Sequence, residues 1–194
     1  MGALRWPFHG RRWFRRLVLM GLINLVPVAG MMNLLGWTMA CLQNLREGRD
    51  ELPPAGFQYL RRGWPLFAVL LLYWLVLTVG YAVFAVGGDI VGLPLDQPAG
   101  VLYYVLLFGI TALTPAIVLA TDRGGVRGGL AIRGVLAEAR SHARATLVAG
   151  GLTLLLAVIA NVGLVLVGIG VLLTAAYTMP AWAAVIRRFE VATA

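Results

Sequence analysis

Several residue types that support chemistry are scarce in this sequence. Its 194 residues include no lysine, one cysteine and two histidines. Cys41 has no partner for an intramolecular disulfide, and within an apolar run it behaves as a small hydrophobic residue. His9 and His142 lie on separate polar segments, which leaves little for a histidine metal site or proton relay. We therefore predict no catalytic residues, no metal site, no cofactor and no enzymatic activity.

Charge is also scarce, and its scarcity defines the class of protein. Charged residues make up 12% of the chain and hydrophobic residues 60%, which leaves too little polar surface to coat a soluble domain. The 16 arginines face 8 acidic residues, giving a net charge of +8. In a membrane protein this excess is a topology signal and an attraction to anionic lipid. We predict a multi-pass protein of the cell membrane that binds no nucleic acid.

Long apolar runs predict an all-α transmembrane bundle that forms a single membrane domain over residues 1–194. A helix needs about 20 apolar residues to cross a bilayer. Four runs are long enough, and a tight turn at "NVG", residues 161–163, separates the last two. The predicted full spans are residues 66–88, 99–121, 145–162 and 163–186.

The opening apolar run, residues 17–43, is interrupted by Pro27 and Gly30, with Asn24 and Asn33 on either side. A single crossing would leave five arginines outside, whereas a chain that turns back keeps all 16 inside, as short cytoplasmic segments favour. We therefore predict a re-entrant hairpin bent at Pro27 and Gly30, with both chain termini cytoplasmic. The asparagines would satisfy backbone groups at the bend, and a ligand or ion role is the alternative.

Two arginine-rich segments are predicted to meet the inner membrane surface. Residues 1–16 alternate arginine with aromatic residues, a composition suited to the headgroup layer. Residues 126–144 have the period of an amphipathic interfacial helix; the alternative is a helix packed on the protein's own cytoplasmic ends. Residues 44–65 form the polar loop between the hairpin and the first span. The predicted contacts to anionic headgroups or partner proteins are Arg11, Arg12, Arg15, Arg16, Arg133, Arg140 and Arg144.

A set of spaced residues runs from the hairpin toward the last span. The set consists of Gly36-Trp37, Arg46, Gly48, Glu51-Leu52-Pro53, Gly63, Pro115-Ala116 and Tyr177. Over roughly residues 17 to 186 the chain thereby resembles the family known as domain of unknown function 4013, although tyrosine is more usual where Trp37 stands. The resemblance implies a prokaryotic multi-pass membrane protein, and it implies no particular activity.

Two hypotheses for function follow from these predictions. The first is a non-enzymatic scaffold or accessory component that engages membrane partner proteins, further copies of itself or anionic lipids through its arginine-rich face. The second is a small transporter or channel in which the Pro27 hairpin, Asn24, Asn33 and Asn161 line a polar path. A water-accessible cavity reaching the middle of the membrane would favour the second hypothesis, and a solid bundle would contradict it.

Overall fold

The computed structural model describes residues 6–8, 12–49, 51–91, 96–165 and 169–193, with the side chains of 91, 96, 161–165 and 169–173 outside this description. Every regular element in these ranges is helical, so the all-α prediction is confirmed. Two short 3-10 helices, Trp6–Phe8 and Phe57–Tyr59, accompany longer α-helices. The α-helices are α1 Trp13–Ile23, α2 Ala29–Arg46, α3 Leu60–Val91, α4 Asp96–Leu130, α5 Ile132–Ser141, α6 Ala143–Val165 and α7 Ile169–Thr193.

Three stretches within the described residues are long and apolar enough to cross a membrane. They are Phe57–Ile90, Gln97–Leu130 and Ala143–Ala160, and they contain most of the first three predicted spans. In the first stretch, only 6% of the most apolar 18-residue segment is buried inside the protein, so most side chains of that segment face the surroundings. The predicted span 163–186 falls partly on residues outside the description, so the count of four spans stays a prediction.

Several helix ends differ from the predicted boundaries. The first span begins earlier, since α3 starts at Leu60, and the second continues to Leu130. The turn predicted at residues 161–163 is wrong in position, because α6 continues through these residues to Val165. Apolar length marks the part of a helix that suits lipid, whereas a helix ends where its last backbone groups find other partners. Hydropathy therefore located these helices but misplaced their ends.

The opening run is broken into two helices at the predicted place. Residues 24–28 form a turn between α1 and α2, and Val28 in this turn has a φ of 61°. Gly30 packs so closely that an added Cβ would lie 2.8 Å from the Asn24 Cα atom. Glycine is thus required for the close return of the chain. Whether this bend lies within a membrane stays a prediction.

The hydrophobic core surrounds α2, the most enclosed helix of the bundle. The side chains of Trp37 and Leu42 are completely buried, and α2 packs mainly against α3 and α7. Its crossing with α3 brings Gly63 against Gly36, so that a Cβ on Gly63 would lie 2.7 Å from the Gly36 nitrogen. α4 adds to the core where it packs on α3, with Val118 fully buried. The core therefore depends on backbones that approach without side chains between them.

Candidate functional site

Polar and ionic contacts join the arginine-bearing helix ends. Arg46 at the end of α2 pairs with Asp122 of α4 and with Glu190 of α7. Arg123 of α4 pairs with Glu138 of α5, at an N–O distance of 3.3 Å. The start of α6 adjoins α5, because α6 begins two residues after α5 ends. We call this region the arginine end. It consists of α5, the starts of α1 and α6, the ends of α2, α4 and α7, and the loop between α2 and α3.

The Arg46 guanidinium forms the centre of the arginine end. Its Nη2 and Nε donate to both carboxylate oxygens of Glu190 at 2.7 and 3.1 Å. Its Nη1 donates to Asp122 Oδ2 at 2.7 Å, and Arg187 Nη1 donates to Glu190 Oε2 at 2.8 Å. A planar guanidinium matches a carboxylate in this two-bond arrangement, which fixes orientation as well as charge. The result is a balanced cluster that ties three helices together.

The protonation of this cluster follows from its hydrogen bonds. The bond to Glu190 is the main cause that raises the pKa of Arg46 above its ordinary value. Burial by itself would raise the pKa of Glu190, but the bonds from Arg46 and Arg187 outweigh it and lower that pKa. Both groups are therefore held in their charged forms.

The loop between α2 and α3 is fastened to α1 and α2 at several points. Arg16 donates to the Leu52 carbonyl and pairs with Glu51 at 3.3 Å. Trp37 Nε1 donates to the Pro53 carbonyl at 3.3 Å. Asn44 near the end of α2 donates to the Glu51 carbonyl at 2.8 Å. Because Arg16 of α1 and Asn44 of α2 reach the same residue, both ends of the opening run lie near one another.

Asn33 fastens the last part of this loop and does not cap the Pro27 bend. Its side chain is completely buried, donates to the Gly56 carbonyl at 2.9 Å and accepts from the Tyr59 backbone N–H at 3.1 Å. The predicted role at the bend is therefore wrong, since the partners lie 23 and 26 residues further along the chain. Asn24 is half-buried, and its side chain forms no hydrogen bond within the described ranges. The side chain of Asn161 lies outside the described residues.

Several of the residues that carry the predicted family resemblance have structural roles. Gly48, with a φ of 69°, follows the end of α2 and donates to the Leu45 carbonyl, while Arg49 N–H donates to the Asn44 carbonyl at 2.8 Å. This pair of bonds is a Schellman motif, which glycine favours because it tolerates the left-handed conformation. Gly36 and Gly63 form the crossing of α2 and α3, Trp37 bonds to the loop, and Arg46 is the centre of the ion-pair cluster. These residues organise the fold around the arginine end.

The arginines predicted to bind lipid lie at several places on the arginine end. Arg12 and Arg15 are exposed on or next to α1, whereas Arg16 is partly buried against the loop. Arg11 lies outside the described residues. In the part of the chain that the structure describes, the arginines that form no ion pair are Arg12, Arg15, Arg61, Arg62, Arg127, Arg133, Arg140 and Arg144.

The predicted amphipathic helix is shorter than residues 126–144. Gly125 has a φ of 60° and ψ of −151°, so the chain turns within the stretch that ends α4, and α5 covers only Ile132–Ser141. The non-helical backbone of His142 separates α5 from α6. Arg144 therefore lies on α6 and does not extend the arginine face of α5, which contradicts the predicted single face. Arg133 and Arg140 remain exposed on α5.

The apolar face of α5 packs on the protein itself. Val135 and Ala139 are buried, and α5 contacts α4 and α6. Ile132 at its start is 54% exposed. This arrangement favours the alternative of a helix on the bundle's own ends, while it still turns Arg133 and Arg140 outward.

A groove of about 550 Å³ opens between the start of α6 and the second half of α7. Arg144 and His142 line its polar end, and Leu152 and Val185 line its apolar part. It lies at the surface of the arginine end and is not a channel beside the hairpin. Among the described residues, no group of three or more histidine, cysteine or acidic side chains is placed to hold a metal ion.

Sequence reasoning missed the partners of Arg46. Asp122 and Glu190 are 76 and 144 residues away from it. The only signal was that Asp122 and Glu190 each lie within two residues of an arginine after an apolar run.

Comparisons with protein-family models, curated proteins and solved structures found no match to this chain. The resemblance to the domain of unknown function 4013 family therefore stays a prediction. The functional argument rests on the arrangement of the residues themselves.

Proposed function

We propose that this chain is a multi-pass protein of the cell membrane that acts as a non-enzymatic scaffold or accessory component. It gathers anionic lipids, and the membrane proteins that associate with them, at its arginine end. The observation that carries the proposal is that exposed arginines without an ion pair among the described residues, such as Arg133 and Arg140, lie at one end of helices long enough to cross a bilayer.

The charge balance of the arginine end supports this role. The carboxylates of Asp122 and Glu190 are neutralised by their ion pairs with Arg46, and Glu190 also pairs with Arg187. The remaining exposed arginines give the surface a net positive potential, which attracts phosphate groups of the cytoplasmic leaflet. The positive-inside rule then places this end, and both chain termini, in the cytoplasm.

The transporter alternative has less support. Asn33, which would line a polar path, is buried and bonded to the loop at Gly56 and Tyr59. The groove described above lies between α6 and α7 and contains no residue of the hairpin.

The lipid proposal can be tested in proteoliposomes of mixed phosphatidylglycerol and phosphatidylcholine. Quenching of tryptophan fluorescence by labelled lipid reports which lipid surrounds the protein. We expect enrichment of phosphatidylglycerol that decreases in 0.5 M salt, since salt screens surface charges to about 4 Å.

The variant to compare carries Arg12→Gln, Arg15→Gln, Arg133→Gln and Arg140→Gln together. These arginines form no ion pair in the described part of the chain, so the thermal midpoint of unfolding should stay within about 2 °C, as surface changes cost little. Enrichment should fall markedly. Equal enrichment in the variant and the wild type would contradict the proposed role.

The orientation is tested by labelling single cysteines at Ala3 and Ala55 after Cys41→Ser. A membrane-impermeant reagent should reach both positions from the cytoplasmic side alone. Labelling from opposite sides would mean that the opening run crosses the membrane.

A further inference from the structure

The groove between α6 and α7 has the features of a binding site for one lipid molecule. Its volume of about 550 Å³ falls within the range of roughly 300–1,000 Å³ typical of small-molecule sites. We propose that it holds one anionic phospholipid, with the phosphate beside Arg144 and Arg188 and an acyl chain along Leu152 and Val185. This inference rests on the membrane location and lipid role proposed above, and it adds a defined site to them.

The groove is polar at one end and apolar at the other. Ser141, His142 and Arg144 line it where α6 begins, and Val148 and Leu152 line it one to two turns further along that helix. α6 contains one of the three stretches apolar enough to cross a membrane, so the polar end lies at the level where lipid headgroups would be. The direction of the groove thus matches a phospholipid, whose phosphate lies outward from its chains.

Charge complementarity favours an anion at the polar end. Among the described residues, no acidic side chain lines the groove. Arg144 forms no ion pair within the described ranges, unlike Arg46 and Arg187, whose charges are met by carboxylates. Arg188 follows Arg187 directly on α7, and successive helical residues point about 100° apart. Arg187 therefore pairs with Glu190 in the Arg46 cluster, while Arg188 lines the groove.

The backbone at the polar end adds to this preference. α6 has no acidic residue in its first turn. Ala143, Arg144 and Ala145 line the groove, and the first N–H groups of a helix have no partner within the helix. These groups and the positive end of the helix dipole favour a phosphate at this position.

Native mass spectrometry of the protein released from nanodiscs tests this site. Wild-type protein should retain one phosphatidylglycerol per chain in preference to phosphatidylcholine. Arg144→Gln should weaken retention about fivefold, and the double change with Arg188→Gln about 30-fold, from roughly 1 kcal/mol per arginine near anionic headgroups. The matched control is the double change Arg61→Gln and Arg62→Gln, which alters the net charge equally outside the groove and should leave retention unchanged.

A second variant fills the groove while leaving its charges in place. Leu152→Trp should displace the lipid chain and abolish retention, with the thermal midpoint as the check on folding. Equal retention by wild type, Arg144→Gln and Leu152→Trp would overturn the inference. Equal retention of phosphatidylcholine would overturn the role of the arginines, and displacement of the lipid by millimolar inorganic phosphate would show a site for free anions instead.

The proposed function and this inference fail separately. Absence of phosphatidylglycerol enrichment around the wild-type protein in the fluorescence assay refutes the general lipid role. Enrichment without a retained molecule refutes the groove alone.

Discussion

The arginine end and the outer halves of α3 and α4 use apolar helices in opposite ways. In the parts of α2 and α4 that lead to the arginine end, Trp37 and Val118 are completely buried among neighbouring helices. In the outer halves, residues 76–90 and 97–109, Val83 and Val101 are 65% and 66% exposed. The first region is held by contacts within the protein, whereas the second relies on apolar length and on its surroundings. Substitutions should therefore have effects that depend on the region.

The largest expected effect is at the glycine crossing of α2 and α3. Gly63→Ala places a Cβ against the Met32 carbonyl and 2.7 Å from the Gly36 nitrogen. Overpacking costs about 1–3 kcal/mol, and backbone atoms cannot move aside as side chains can, so we expect a loss at or above about 3 kcal/mol. Gly80→Ala on the same helix meets nothing within 4 Å and should be neutral or slightly stabilising. The free energy of unfolding is measured by reversible unfolding in detergent. Equal losses for Gly63→Ala and Gly80→Ala would contradict the difference between the two regions.

The next effect comes from the Arg46 cluster. Arg46→Gln removes the bonds to Asp122 and Glu190 and leaves two carboxylates with one arginine partner. We expect a loss of about 1.5–3 kcal/mol in the free energy of unfolding, the contribution of hydrogen bonds to charged groups. Arg61→Gln, an exposed arginine without an ion pair among the described residues, is the control and should change it by less than about 0.5 kcal/mol. A double-mutant cycle with Glu190→Gln isolates the pair, and additive losses would show no coupling.

Acid should weaken the arginine end through the same cluster. The pKa of Glu190 is lowered in the folded protein, so its contribution is complete above the unfolded pKa of about 4.3 and is lost as pH falls through the folded value. Thermal midpoints measured from pH 7 to pH 3 should decrease below about pH 5. Arg46→Gln should show a smaller decrease over this range. An identical pH profile in both proteins would contradict this origin of the acid sensitivity.

A loss of stability similar to that of Arg46→Gln is expected at Asn33, which holds the loop between α2 and α3. Asn33→Ala leaves the buried Tyr59 N–H without its acceptor, at a cost of about 1–3 kcal/mol. Asn24→Ala removes an amide that forms no side-chain hydrogen bond among the described residues and should cost less. Chemical denaturation measures both, and a larger loss for Asn24→Ala would support the predicted role at the bend.

The smallest effect is expected at the exposed pair of Arg49 and Glu47. Their side chains are 58% and 42% accessible. Arg49→Gln should change the free energy of unfolding by roughly 0–1 kcal/mol, as for other surface ion pairs. A loss as large as that of Arg46→Gln would mean that an exposed ion pair stabilises this protein as much as a partly buried one.

The sequence predicted what depends on short segments. The apolar lengths of α3, α4 and α6 and the break near Pro27 are local properties, and the structure has helices and a turn there. The partners of Asn33 and Arg46 could not be predicted, because they are set by how distant helices pack. Arg144 was misplaced for a related reason: the predicted arc assumed one continuous helix, and the backbone at His142 interrupts it.

The 144 residues between Arg46 and Glu190 also set an order of events during synthesis. Ribosomes add about 5–20 residues per second, so Arg46 and the rest of α2 emerge roughly 7–30 s before Glu190. During this interval α2, which later becomes the centre of the bundle, lacks the contacts that α7 provides. Until α7 is made, the face of α2 that α7 later covers has to be covered by lipid or another protein, so the helix at the centre of the described bundle waits for its last neighbour.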